Sequence, residues 1–271
     1  MATNSKIEWT DHTVNLWWGC SKVHTGCKNC YAEYLSDVRY KKGLWGENAE
    51  RRRIKSAFSD LDKYQAEAQR TGTRPKIFIG SMMDILEDSK PLANPGYHCM
   101  TTGDLRDELL RRIYFGKYND LIFLFLTKRP ENIEQIMPYT ADFNVSFQMI
   151  MELRNVWTGI SISDQATADK YVPYFSGLRG NLFLSVEPLV GPIENLHLNH
   201  FAEDFTTIRW VIVGGESGTN RRPFDPFWAL QIKTQCDSQW QPVPFFFKQI
   251  DKVRDKDHQE LLSENRAFPN F

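Results

Sequence analysis

Seven short apolar runs, each ending in polar residues, constrain this chain more than anything else in it. They are VNLWWGC (14–20), KIFIGSMMD (76–84), LIFLFLTKR (121–129), VWTGISISD (156–164), NLFLSVEP (181–188), WVIVGGESG (210–218) and PFFFKQ (244–249). Each is rich in β-branched or aromatic residues and almost continuously apolar, the signature of a strand buried on both faces and hence of a parallel sheet. Helical patterns fall between them, at 32–45, 103–116, 129–140, 166–175 and 226–236. Strand, helix and strand in this order make right-handed βαβ units. The predicted fold class is therefore α/β: a single-domain partial or complete parallel β/α (TIM-like) barrel of six or seven strands. It would occupy residues 1–271, with a short N-terminal extension (1–13) and a C-terminal tail (250–271).

The polar residues gather at the carboxyl ends of the runs, the face on which β/α barrels build their active sites. Asp84, Lys128, Arg129, Glu187, Glu216 and Lys248 directly follow apolar stretches. Six such residues predict a lined cavity, with Asp84, Glu187 and Glu216 on one wall and the loop that follows the first run at its mouth.

That loop, GCSKVHTGCKNCYAE (19–33), holds three of the five cysteines, Cys20, Cys27 and Cys30, spaced C-x6-C-x2-C. A disulfide framework wants an even number, and a closed zinc or ordinary iron–sulfur site wants four ligands. His24 would complete a Cys3His zinc knuckle. Without it, three thiolates leave a coordination position open. No apolar run approaches the ~18 residues of a membrane span, and the N-terminus lacks an apolar signal region. A reducing cytoplasm is therefore expected, where clustered cysteines bind metal more often than they pair. Cys99 and Cys236 lie apart and read as structural thiols. A net charge of −1 gives no bulk attraction to nucleic acid or membrane, so any basic surface must be local.

A three-cysteine loop after the first strand of a partial β/α barrel resembles the radical S-adenosylmethionine (SAM) superfamily. More closely, the chain is similar to the phage Gp37/Gp68 family of three-Cys-motif proteins. The likeness rests on KIEWTDHTVNLWWGC, GCKNCYAE, SMMD, LTKRPENI, VWTGISIS, LSVEPLVGPI, VIVGGESG with RRPFDPFW, and VPFFFKQ, from residue 6 to residue 249. The commonest radical-SAM spacing is C-x3-C-x2-C, against six residues in the first gap here, and GlyGlyGlu falls after a late strand rather than the second.

That resemblance implies a [4Fe–4S] cluster on Cys20, Cys27 and Cys30, with SAM on the open iron. Reductive cleavage of SAM would generate a 5′-deoxyadenosyl radical that abstracts a substrate hydrogen. It also implies an electron donor such as flavodoxin or ferredoxin, and a host-cell cytoplasm if the chain is phage-encoded. Tyr31, Ser81, Asp84, Ser161, Ser185, Gly214, Gly215 and Lys248 would then form the cofactor-binding set. Glu187, Lys128 and Glu216 would serve catalysis.

A DNA or RNA substrate is expected from a locally basic segment, Arg51, Arg52 and Arg53 with Lys55, close to Trp45 and Phe58. Arg221 and Arg222 offer a second contact, and a solvated helix face is the ordinary alternative for such a charge run. Two other readings compete: a non-catalytic nucleic-acid-binding protein with a structural zinc or Fe–S site, and a metal-free hydrolase using Glu187 and Glu216 as acid and base.

Overall fold

The computed structural model describes residues 5–96, 99–136, 145–198, 208–218, 220–251 and 253–271; the side chains of Gly96 and Cys99 are also outside the description. In chain order the strands are β1 (His12–Val14), β2 (Trp17–Trp18), β3 (Arg52–Arg53), β4 (Lys76–Ile79), β5 (Pro91–Gly96), β6 (Cys99–Thr101), β7 (Ile122–Thr127), β8 (Val156–Ile162), β9 (Asn181–Val186), β10 (Ile208–Gly214) and β11 (Phe245–Gln249). The α-helices are α1 (Tyr31–Glu33), α2 (Ala57–Thr71), α3 (Thr102–Tyr114), α4 (Phe147–Met151), α5 (Gln165–Tyr171), α6 (Pro226–Asp237) and α7 (Gln259–Glu264). Seven strands make one parallel sheet in the order β1-β4-β7-β8-β9-β10-β11, flanked by helices, which is the α/β class of a partial parallel barrel. All seven residues of β8 are buried, as are Ile122 to Phe125 of β7, so the continuous apolar runs do lie between two covered faces.

The chain divides into two compact units. The first comprises Met1–Lys22 and Ala32–Trp157. Here β1, β4 and β7 pair in parallel, with His12 opposite Ile77 and Ile77 opposite Phe123. Helix α2 buries Leu61, Gln65 and Ala68 and ends at Gly72, whose positive φ of 67° needs a residue without a side chain. Helix α3 starts from a reciprocal cap between Thr101 and Asp104 and buries Leu105, Leu109 and Ile113.

The second unit comprises Val23–Tyr31 and Thr158–Phe271. Its β9, β10 and β11 are parallel neighbours, with Ser185 opposite Ile212 and Ile212 opposite Phe246. Helix α5 is capped by Asp164 and Thr167, and α6 by Asp225 with Pro226 at its first position.

Several boundaries differ from the sequence reading. The first run is not one strand: β1 is His12–Val14, which begins in the supposed extension, and Trp17–Trp18 form a separate antiparallel ribbon with Arg52–Arg53. Trp17 is fully buried and Trp18 only partly, an alternation that an all-apolar stretch conceals. The pattern at 32–45 is helical only to Arg39, as α1 and a π-turn over Tyr34–Arg39; Lys41 and Gly43 then take positive φ. The pattern at 129–140 forms a 3₁₀ turn over Pro130–Asn132, and its part beyond Ile136 lies outside the described residues. The tail is structured too, since α7 lies in it and Arg266 bridges to Phe246.

Candidate functional site

In the first unit, Cys20 leaves the β2 ribbon and is backed by residues 44–46, whose Gly46 N–H donates to the Cys20 carbonyl at 2.9 Å. Gly19 is at φ 118°, and a Cβ there would meet Leu44 O at 2.5 Å and Arg51 Cδ at 2.6 Å. Gly19 therefore clears room for Arg51.

Arg51 itself is fully buried. Its Nε and Nη2 donate to Glu87 at 2.9 and 2.7 Å, and its remaining donors reach the carbonyls of Leu44, Ala49 and Gly46. The assignment of Arg51 as a nucleic-acid contact is corrected for that reason, because its guanidinium has neither surface nor a spare donor. Arg52 is exposed and Arg53 half-buried.

Glu87 also accepts from Ser21 Oγ at 3.2 Å and faces Arg129 at 3.5 Å. Arg129 donates through Nη1 to Asp84 at 3.0 Å and to Cys20 Sγ at 3.6 Å, and through Nη2 to the Ser21 carbonyl and hydroxyl at 2.9 and 2.8 Å. Asp84 is buried and saturated, accepting also from Thr127 Oγ1 (2.8 Å), Lys128 N (2.9 Å) and Leu86 N (3.0 Å). It fixes Arg129 and has no exposed oxygen for a ligand, which corrects its placement among the cofactor contacts. Burial pushes the Cys20 thiol up to about 12, with Arg129 pulling against it and the Asp84 and Glu87 charges adding to it. Burial opposes the charge on Arg129, yet Asp84, Cys20 and Glu87 outweigh it and hold the guanidinium firmly cationic. Ser81 accepts from Asn15 Nδ2 at 3.0 Å, and Lys128 is half-buried.

In the second unit, Cys27 closes a 3₁₀ turn over Thr25–Cys27 and Cys30 directly precedes α1. Cys27 is buried, Cys30 half-buried and Tyr31 half-exposed. His24 Nδ1 accepts from Gly26 N at 3.0 Å and the His24 ring tilts against Tyr171. A Cβ on Gly26 would collide with Ser163 Oγ, so this glycine also makes room for protein. The Ser163 hydroxyl is fully buried and has no hydrogen-bond partner among the described residues. Asn29 Nδ2 donates to Glu216 at 3.0 Å and to the Asn220 carbonyl at 2.8 Å.

Glu216 ends β10 in a clamp: Arg222 donates through its backbone N at 2.6 Å and its Nε at 3.0 Å, and its Nη2 forms an ion pair. Burial works to raise the Glu216 pKa, but the bonds from Arg222 and Asn29 prevail and hold it below the usual carboxylate range. Arg222 also donates to the Thr25 carbonyl, and Arg221 lies 3.4 Å from Asp251, so both arginines of this expected nucleic-acid contact already face protein acceptors.

Glu187 gathers Ser161, Ser185, Gly214 and Lys248, four of the eight residues expected to bind cofactor. Its Oε1 bonds Lys248 Nζ at 2.7 Å and lies 3.1 Å from where a Cβ on Gly214 would be. Its Oε2 accepts from Ser185 Oγ at 3.4 Å, and its carbonyl accepts from Ser161 Oγ at 3.0 Å. The parallel register explains this: β9, β10 and β11 end side by side, so residues at or just past their carboxyl ends meet. Gly215 packs against the Ile250 carbonyl and Phe224 rather than an open space.

Sequence reasoning missed Glu87, Asn29 and Ser163. Glu87 carries no local signal, because its partner lies 36 residues upstream. Among the described residues no three His, Cys, Asp or Glu side chains form a ready-made metal cage. Cys20, Cys27, Cys30 and the buried Cys236 form no disulfide, and the side chain of Cys99 lies outside the described residues. No described helix is long and apolar enough to cross a membrane.

These features define an α/β protein of the partial-barrel class, with a buried arginine–carboxylate network beside one cysteine in the first unit and a Glu187-centred polar cluster in the second. The chain belongs to the family described as Protein of unknown function (DUF5131), which it matches over residues 4–267. No curated protein and no solved structure matches it.

Proposed function

We propose that the protein is a radical-SAM-type enzyme acting on a nucleic-acid base, with Cys20, Cys27 and Cys30 as the ligands of a [4Fe–4S] cluster. The observation that carries this reading is the donor set. Three thiols that form no disulfide lie within eleven residues, and the Asn29 amide between the last two is engaged by Glu216 and Asn220. The set suits a site that takes three thiolates and leaves a position for a second ligand. When bound, the cluster and SAM would supply one-electron reducing chemistry that starts a radical reaction.

The chain's own residues have supporting tasks. Arg129, held by Asp84 and Ser21, puts a fixed positive charge 3.6 Å from Cys20 Sγ and so offsets part of the burial that raises its pKa. Lys248, near the end of β11, and Glu187, just past β9, offer a cation and a carboxylate fitted to the carboxylate and ammonium of an amino-acid moiety. The buried Ser163 hydroxyl beside Gly26 is available to donate to a group on the cysteine loop. The hydrolase alternative loses support, since Arg222 and Asn29 keep Glu216 ionised and bound.

The test is anaerobic purification and reconstitution with iron and sulfide. Brown protein that holds close to four irons and cleaves SAM after reduction is expected. Cys27→Ala should lose the iron, whereas His24→Ala should retain it. Colourless protein with one zinc per chain, bound through His24, would establish the structural-zinc reading in its place.

A further inference from the structure

Just upstream and downstream of the cysteine loop, the first unit carries a patch with no role in the network described above. In the β2–β3 ribbon, Trp17 and Arg51 face inward and are fully buried; their neighbours Trp18 and Arg52, paired across the ribbon, take the opposite face. The Trp18 ring stacks on Tyr40, with centroids 6.3 Å apart and planes 24° from parallel. Lys42 Nζ lies over both rings, at 5.6 and 5.8 Å, and the Arg39 guanidinium lies 5.7 Å from the Tyr40 centroid. Tyr40 is 50% exposed, and Arg39, Lys41, Lys42 and Arg52 are all exposed.

Taken alone, this patch is unfavourable. Four cations crowd together, and none has a carboxylate within ion-pair distance among the described residues. The nearest acid in sequence, Asp37, is not free to neutralise them, because its two oxygens accept from Leu44 N and Trp45 N. Lys41 is held at φ 50°, a left-handed conformation unfavourable to a lysine, and that turn brings Lys42 back over the rings. Like charges, half-exposed aromatic faces and a strained turn are all relieved together by one kind of ligand, a polyanion with flat apolar faces of its own.

We propose that Trp18, Tyr40, Lys42, Arg39, Lys41 and Arg52 form a binding surface for single-stranded nucleic acid. Aromatic faces stack on unpaired bases, and the surrounding cations track the phosphates. A duplex hides its base faces and gains only the charge term. The surface requires no metal, so it stands or falls apart from the cofactor reading. It also differs from the sequence expectation: Arg51 drops out and Arg52 remains, beside an aromatic pair that no charge count would single out. The ribbon shares its backbone with Cys20, two residues beyond Trp18, so a strand held here lies beside that end of the cysteine loop.

The test is fluorescence anisotropy of the intact protein with labelled oligothymidylate and oligouridylate, their duplexes, and a strand with abasic positions. Single strands should bind more tightly than duplexes or the abasic strand. Tyr40→Ala should weaken binding by about tenfold or more. Lys42→Gln and Arg52→Gln should each lower the slope of log affinity against log salt by ~0.7. Thermal melts of the three variants should match the parent, since these side chains are exposed. The DNA and RNA arms decide which strand is preferred. The proposal is overturned by no binding at low salt, by equal affinity for the abasic strand or for polyglutamate, or by Tyr40→Ala binding as the parent does.

Discussion

Arg51 and Arg52 are adjacent in a run of three arginines, and they do opposite things. Arg51 is surrounded by protein and pairs with Glu87; Arg52 reaches solvent. A buried ion pair adds little net stability over an apolar pair, but removing one partner strands the other charge. Arg51→Ala should therefore cost about 3–5 kcal/mol, while Arg52→Ala should stay within about 0.5 kcal/mol of the parent. Urea unfolding of the two variants measures this directly. Equal effects would mean that Glu87 finds another partner; Arg129, 3.5 Å away, is the nearest cation. The same network keeps Cys20 in its place, because Glu87 and Asp84 together hold Arg129 and Ser21 against it.

At the scale of elements, the sheet surface is shaped by small residues as much as by large ones. Gly159 in the middle of β8 faces the Phe183 ring of β9, and a Cβ there would collide with three ring carbons. Gly159→Ala should cost about 1–3 kcal/mol by overpacking. Gly191 has open space around its Cα and no positive φ, so Gly191→Ala should be neutral or stabilise by about 0.4–1 kcal/mol through the unfolded chain. Thermal unfolding of both variants separates the cases. This packing shows which parts of the fold were readable. The strands of the parallel sheet from Lys76 onward were legible because burial on both faces leaves a continuous apolar run, whereas the β5–β6 ribbon has none. The Glu187 cluster was legible because its members sit in the last residues of β8 to β11 or, for Glu187, just past β9, and parallel strands end together. The inward Trp17 and outward Trp18 were not, since a two-residue ribbon is too short to show a period of two. Helix α2 was obscured by its own charges: it buries only a narrow stripe, and the basic residues before it drew the eye to binding. The partnership of Arg51 and Glu87 is set by tertiary structure alone, as is that of Glu216 and Arg222 with Asn29.

At the scale of the molecule, 33 basic and 34 acidic residues nearly cancel, yet they are unevenly used. In the first unit, unpaired cations collect beside Trp18 and Tyr40. Carboxyls are held below their usual range in both units: Glu47, Asp62 and Glu108 in the first, and Asp164, Asp169, Glu216 and Asp251 in the second, where Asp164, Glu216 and Asp251 are the buried or half-buried three. Asp164 is pulled down against its burial by Thr25 Oγ1 and by the Thr167 backbone, and Glu216 by Arg222 and Asn29. Asp251, also against burial, is brought to about 2 by Arg254 and by the backbone N–H groups of Arg254 and Val253. A carboxyl whose folded pKa is depressed binds more protons unfolded than folded, so its stabilisation is complete above the unfolded value and is lost as pH falls through the folded one. Unfolded Asp and Glu titrate near ~3.9 and ~4.3. The urea midpoint should therefore be flat near pH ~6 and fall steadily between pH ~4.5 and pH ~2. Asp251 accepts three close hydrogen bonds just past β11 and shows the largest of these shifts. Asp251→Asn should lower stability at pH ~6 by about 2–3 kcal/mol and make almost no difference at pH ~2, where the parent residue is itself half protonated. Curves that run parallel across the whole range would show that Asp251 acts through shape rather than charge, and a midpoint that rises towards acid would overturn the assignment of all three carboxyls.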